Sequence, residues 1–431
     1  MEGASRQDNY STLEVDKEKN RDLPVAKEDE ADLPQAIDHD APEVVQKKEA
    51  APAAAARPRK ILGLSRKVFW IVLAVFILVI IGAAVGGGVG GSLAHKSKSS
   101  QPSGPPQILP GSNIASINYT DTQNITHYRV FFQATTAVIY QSDFDSSTSA
   151  WTVSPAQASD NTTALVPMNG TSLSAHIDFH LLFIDSDNTI RELTSNLTSP
   201  AWLEGSFRQT LPVVNSSIVS SGKQCAQCST NNTIIFQGQQ NNQNTLNAVN
   251  ITADATDTIK LIASTVSPVL GSGMGLTQLL PDADNNASTF ALYVNAGSLQ
   301  EVTYNISSQT WDLQDAMAAD GVVASLGAEA HIAAWCTVQG GYRYVKVLSS
   351  TSSGGVQLVA WSGAPGQAGW TQSSSVDAFE DVVKNSAIAF NEDGRVYAFG
   401  AGEDGAAALT EWAYQEGNTF GRVGVVNTTI V

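Results

Sequence analysis

The stretch LLFIDSDNTIREL, Leu181 to Leu193, decides the fold. Four apolar residues, Leu181 to Ile184, stop at the short polar turn formers Asp185 to Asn188, and Thr189 to Thr194 (TIRELT) then resumes a strand-forming pattern. Two strands joined by a tight turn follow, with Trp202 shortly after the second. His127 to Gln133 (HYRVFFQ) offers another first strand of the same kind, and Asp178 to Ile184 (DFHLLFI) extends the one just quoted.

Working outward, strand, polar turn, strand and Trp recur through residues 113 to 431. Aligned on the second strand, Gln141, Glu192, Ala248, Glu301, Leu358 and Glu411 share one slot, at spacings of 51, 56, 53, 57 and 53 residues. Trp151, Trp202, Trp311 and Trp370 follow the first, second, fourth and fifth slots at similar offsets, whereas unit three has no Trp there. Units this short cannot bury their apolar faces alone, so stacking into a closed ring is the expected solution. The region is therefore read as an all-β, six-bladed β-propeller, with a β-sandwich carrying irregular insertions as the alternative.

The LLFIDSDNTIREL unit, followed by Trp202 and Gly205, resembles the fungal fucose-specific lectins, which are six-bladed propellers. YSTLEV at Tyr10 to Val15, and an apolar stretch leading into GGGVGGS, resemble membrane-anchored fungal proteins carrying such a domain. In that family each site between blades uses an Arg from the first strand, a Glu from the second and surrounding aromatics. A guanidinium donates to sugar oxygens, a carboxylate accepts from hydroxyls, and an aromatic face packs on the C–H surface. Carried over, the Arg position reads Arg129, His180, Ile234, Ala291, Arg343 and Arg395. Only the last unit, with Arg395 and Glu411, then keeps both partners. Tyr397 and Trp412 flank that pair, and Trp370 is an alternative stacking partner from the preceding blade. Neighbouring strand residues face opposite sides, so Trp412 is equally a core candidate. Arg129 with Gln141, and His180 with Glu192 beside Trp202, are half sites. Extra small residues from Gly400 to Ala408 separate Arg395 from Glu411 more widely than their counterparts in units one and two. The competing reading of an Arg and a Glu on adjacent strands is a cross-strand ion pair.

The first hundred residues differ in kind. Residues 1–67 form a polar tail rich in Glu, Asp, Lys, Pro and Ala, expected to be disordered. Val68 to Leu93 contains no charged residue, and Val68 to Val85, 18 residues and nearly all apolar, gives roughly 27 Å of helix, enough to cross a bilayer. It lies too far from Met1 for an ordinary cleaved signal peptide, so a signal anchor is expected at 68–93. Arg57, Arg59, Lys60, Arg66 and Lys67 precede it and only Lys96 and Lys98 follow closely, which places the N-terminus in the cytosol and residues 113–431 in the lumen or outside the cell. Acceptor sequons agree, at Asn118, Asn124, Asn161, Asn169, Asn196, Asn215, Asn231, Asn250, Asn286, Asn305 and Asn427, against Asn9 alone before the span. Gly82 and Gly86 form a G-x-x-x-G that either brings two helices together or marks a flexible exit from the bilayer. Residues 94–112 read as a Ser, Pro and Gly-rich stalk.

Charge excludes several partners. The net charge of −17 falls entirely on residues 99–431, where 27 acids face 10 bases, so neither a nucleic acid backbone nor an anionic membrane surface suits this domain. Fucosylated or other neutral glycans fit better. Its six Arg are dispersed, and no G-x-S-x-G, H-E-x-x-H or metal-ligand spacing occurs, so no catalytic residue, metal or cofactor is expected. A sialidase-type glycoside hydrolase is the weaker rival, and a cell-surface interaction propeller without sugar binding the stronger one. Cys225 and Cys228, lacking a second ligand pair, read as a local disulfide or two thiols, and Cys336 as a buried apolar residue.

Overall fold

The computed structural model describes residues 106–430, apart from 159–164, 177–178, 197–200, 212, 222–231, 252–258, 284–286 and 403–404. Six four-stranded antiparallel sheets follow one another along the chain, each meandering from its first strand to its last. They are numbered here as blades 1 to 6, at residues 114–155, 173–210, 218–262, 274–314, 332–373 and 388–425. The first strand of each blade packs beside the first strand of the next, and Ile388–Phe390 returns to Ile114–Thr120, closing the ring. Every blade comes from one continuous segment, so closure rests on side-chain packing and not on a strand exchanged between the chain's ends. The sandwich alternative is thereby overturned.

Strand alternation explains why the ring holds. In Thr126–Gln133, Phe131 joins an apolar cluster with Leu181, Phe183 and Trp202 of blade 2, while Val130 and Phe132 join another with Tyr397 and Phe399 of blade 6. Successive residues thus serve opposite neighbours. Each of the six blade–blade contacts has its own cluster, such as Leu182, Ile184, Ile234 and Phe236 between blades 2 and 3. The units are too thin to bury these faces alone, which is the physical content of the sequence repeat.

The second-strand slot survives in three dimensions. Gln141, Glu192, Ala248, Glu301, Leu358 and Glu411 lie on the third strand of successive blades, opposite Phe131, Leu182, Ile235, Tyr293, Leu348 and Tyr397. Those partners in turn sit opposite Ala115, Ser174, Val219, Gly275, Ala333 and Ala389 of the innermost strands, one step from the strand start in each case. The extra small residues of blade 6 leave this register intact, because Gly400 pairs with Ala408 and Ala401 with Ala407 beyond the slot. The Trp column is real as well: Trp151, Trp311 and Trp370 pair with Phe144, Tyr304 and Trp361, and Phe420 takes the same place in blade 6 opposite Tyr414.

Among the described residues no helix is long and apolar enough to cross a membrane. The tail at 1–67, the span at 68–93, the Gly82 and Gly86 pair, the Cys225 and Cys228 pair and most of the stalk lie outside the described residues. Cys336 is a buried free thiol, and burial pushes its pKa up to about 11, in keeping with an apolar role.

Candidate functional site

The slot residue of each blade faces the following blade, so each of six clefts takes its polar groups from one blade and its opposite wall from the next. Two residues before the slot's partner, on the same side of the same strand, lies the position open to a basic residue. It holds Arg129, His180, Thr233, Ala291, Lys346 and Arg395. Two carried-over positions need correction. Ile234 points back towards blade 2, in the cluster with Leu182. Arg343, opposite Val338, turns to blade 4, where its Nε donates to the Leu280 carbonyl at 2.6 Å and lies 3.6 Å from Asp282.

The cleft between blades 6 and 1 contains the complete pair. Arg395 Nη1 lies 3.3 Å from Glu411 Oε1, and the same oxygen accepts from Tyr397 Oη at 3.1 Å. Arg395 and Glu411 are diagonal neighbours, since Tyr397 pairs with Glu411 and Arg395 with Ala413. Burial raises the Glu411 pKa, opposed by the Arg395 charge and the Tyr397 hydroxyl, and burial lifts Tyr397 well above the usual phenol range. The Arg395 side chain keeps a quarter of its surface exposed, while that of Glu411 is only 7% exposed. The Arg395 side chain is therefore open to solvent on one side. Blade 1 supplies the opposite wall: the Arg395 guanidinium lies over the Tyr128 ring at 4.9 Å, and Tyr128 Oη donates to Asp393 Oδ2 at 2.8 Å. Tyr128, Phe144 and Trp151 form an aromatic run with centroids 5.9 and 5.2 Å apart.

Two aromatic residues expected here lie elsewhere. Trp412 is fully buried against blade 5, its Nε1 donating to the Ala378 carbonyl at 2.7 Å. Trp370 packs edge-on against Tyr293 at 6.1 Å in the cleft between blades 4 and 5. The wall of each cleft comes from the following blade, so in a closed ring blade 6 meets Trp151, not Trp370. Sequence reasoning also passed over Tyr128 and Lys346. Strand parity counted from the slot, combined with the one-blade offset, identifies both.

Among the described residues, none of the other five clefts holds an Arg beside a slot Glu of its own blade. Arg129 is 4% exposed, donates from Nε to Asp143 Oδ2 at 2.9 Å and lies beneath Tyr119 and Phe179. Gln141 Oε1 in the same cleft accepts from Trp202 Nε1 at 2.8 Å. His180 Nδ1 meets Glu192 Oε1 at 2.5 Å, and the Phe207 amide donates to the other oxygen at 3.3 Å. Gly205 leaves room for this arrangement, because a Cβ there would come within 2.1 Å of Glu192 Oε2 and displace the carboxylate. Blade 3 presents Thr233 and Ala248, with no charge. Blade 4 presents Glu301 without a basic partner in its own blade, its carboxyl pushed up to about 7 by burial and bonded to Tyr293 Oη at 2.9 Å. Lys346 in blade 5 faces Leu358's side of the cleft and bonds Asn418 Oδ1, with burial lowering its pKa to about 8.

Among the sequons, Asn124, Asn169, Asn196, Asn215, Asn305 and Asn427 are exposed, Asn118 and Asn250 are half-buried, and Asn161, Asn231 and Asn286 lie outside the described residues.

No family model matches the sequence. No curated protein matches it either. Solved structures do share the architecture. The six-bladed propeller lectin of Aleuria aurantia aligns with 75% of this chain and 98% of its own at a TM-score of 0.54 and 18% identity. The SapL1 lectin, solved with alpha methyl fucoside, covers 75% of this chain and 99% of its own at 0.54 and 17%. AofleA from Arthrobotrys oligospora covers 74% and 88% at 0.53 and 17%. The fold is thus that of the fungal fucose-specific lectins, non-enzymatic carbohydrate-binding proteins, with strongly divergent sequence.

Proposed function

We propose that this chain is a membrane-anchored carbohydrate-binding propeller that keeps one sugar cleft, between blades 6 and 1. The observation that carries the reading is Arg395 beside Glu411 and Tyr397, with its guanidinium part-exposed and the Tyr128–Phe144–Trp151 wall opposite. Such a site donates, accepts and stacks, which is what a neutral hydroxylated ring requires. The neighbours' fucose ligands make L-fucose the first sugar to try. Catalysis has no support in this arrangement. Residues 68–93 supply the anchor, with 1–67 cytosolic and the propeller lumenal or extracellular, carrying glycans on its exposed sequons.

A glycan array on the full-length chain tests the reading, with L-fucose titration as follow-up. Binding that disappears in Arg395→Ala supports it. The rival reading, an interaction propeller without sugar binding, is favoured by the pairing of Arg129 with Asp143 and the hydrogen bond between His180 and Glu192, which engage these groups within the protein. Complete silence across the array decides for that rival.

A further inference from the structure

A second polar chamber lies on the propeller axis, away from the clefts. The innermost strands of all six blades line a cavity of about 360 Å³. That volume is well above the roughly 10–15 Å³ needed for a single water and lies within the range of about 300–1,000 Å³ typical of small-molecule sites. Three of its side chains come from adjacent blades 6, 1 and 2 and hold polar atoms with no partner: Asn391 Nδ2, Ser116 Oγ and both ring nitrogens of His176. All three residues are more than nine-tenths buried, at 4%, 8% and 4% exposed. Buried polar groups are nearly always hydrogen-bonded, and one left without a partner costs the fold its desolvation. Three such groups gathered on one wall of one cavity are a binding surface awaiting its complement.

The chemistry of that complement is narrow. Asn391 Oδ1 already accepts from the Asp393 and Arg395 amides, at 3.1 and 2.9 Å, which fixes the amide so that its Nδ2 is the free end, a donor. His176 stacks on His180 at 4.7 Å, and burial together with the His180 charge holds its pKa down at about 3, so its neutral ring offers one donor and one acceptor. Ser116 offers either. No Lys or Arg lines the cavity, so an anion finds no counter-charge. Trp335 and Phe390, stacked on one another at 5.9 Å, also line the cavity and give it apolar surface beside these groups. Mixed donors and acceptors together with aromatic surface match a molecule that carries hydroxyls on a compact C–H frame.

We propose that the axial cavity is a binding site for one small, neutral, polyhydroxylated molecule of monosaccharide size, held by Asn391, Ser116 and His176 against Trp335 and Phe390. It stands independently of the cleft between blades 6 and 1. The test is calorimetric titration of the full-length chain with D-glucose, together with a crystal soaked in the same sugar. Saturable binding is expected, with density for one sugar on the axis. Affinity should fall about fivefold in Ser116→Ala and about tenfold or more in His176→Phe, which keeps a ring of similar size, and should be unchanged in Glu411→Gln. Near-ultraviolet circular dichroism checks that both axial variants are folded, and Ser116→Ala removes only one oxygen should the larger change disturb the ring. Ordered water alone in the soaked cavity, no heat of binding, or binding retained by both axial variants would overturn the proposal. So would loss of D-glucose binding in Glu411→Gln with the axial variants unaffected, because the sugar would then occupy the cleft.

Discussion

Replacing Glu411 by Gln separates binding from stability in a way few cleft mutations do. Glu411 Oε1 accepts from Arg395 and Tyr397, and the carboxylate is buried enough that its pKa is raised despite the adjacent cation. Desolvation therefore outweighs attraction in the folded state, and an amide of the same shape relieves that cost at neutral pH. Thermal stability of Glu411→Gln should be equal to or slightly above wild type. Binding should move the other way. Hydrogen bonds to a charged acceptor contribute about 1.5–3 kcal/mol and neutral ones about 0.5–1.5, so each sugar hydroxyl donated to Glu411 loses about 1–1.5 kcal/mol, roughly tenfold in affinity. Arg395→Ala behaves differently. It strands a buried carboxylate and removes the cation over Tyr128, so stability and binding fall together. Calorimetric titration of L-fucose with thermal melts of the three proteins provides the readout. If wild type binds L-fucose and both variants bind it equally well, the sugar is held elsewhere and the assignment of this cleft is refuted. A Glu411→Gln protein that melts well below wild type would refute the electrostatic argument even if binding were lost.

Glu301 titrates at about 7 in the fold against 4.5 unfolded, so the folded state holds a proton that the unfolded state releases between those values. Stability contributed by this group is present at acid pH and is lost as pH rises from 4.5 to about 7, by about 3 kcal/mol at 1.36 kcal/mol per unit. Urea denaturation of Glu301→Gln should show a gain over wild type at pH 8 that vanishes at pH 4; equal gains at both would contradict the assignment. Gly205→Ala forces Glu192 off His180 and the Phe207 amide, and should cost about 1–3 kcal/mol by urea denaturation, while Gly424→Ala, with open space at its Cβ, should cost far less. For the topology, endoglycosidase should shrink the expressed protein and protease added to intact cells should remove residues 113–431; a protected, unglycosylated propeller would refute it.

The blade count and the slot column were legible because both rest on alternation and on a turn within each unit, features that survive divergence. LLFIDSDNTIREL fixes two strands and the turn between them, and the spacing of some fifty residues repeats that frame. The basic column was legible in blades 1, 2, 4 and 6 but not in blades 3 and 5. Blade 3 has the longer hairpin, running on to pair Gln240 with Gln243, so counting back from its slot drifts. Blade 5 keeps the spacing of blade 1, with Leu348 opposite Leu358 as Phe131 is opposite Gln141, and there the scarce Arg343 draws the alignment three residues from Lys346. Nothing local to Arg343 reveals its direction. Only its parity against Leu348 does, and parity needs the paired register.

The aromatic wall failed for a different reason, one of topology and not of alignment. Where the next blade carries an aromatic in or just before its fourth strand, the cleft joins the slot of one blade to that residue, as Gln141 meets Trp202 and Tyr293 meets Trp370, whereas blade 3 has none there. Along the chain that rule looks like simple succession. At the sixth it fails, because the blade after the last is the first, and Arg395 finds Tyr128 with Trp151 behind it. The cleft that retains its charged pair is thus also the seam where the two ends of the propeller meet, with Val426 and Ile430 packed among Ile114, Val130 and Tyr397. Its geometry depends on ring closure itself. A destabilised seam would lose sugar binding before the remaining blades lose their packing, because Arg395 and Glu411 share one blade while Tyr128 and Trp151 sit across the joint on another.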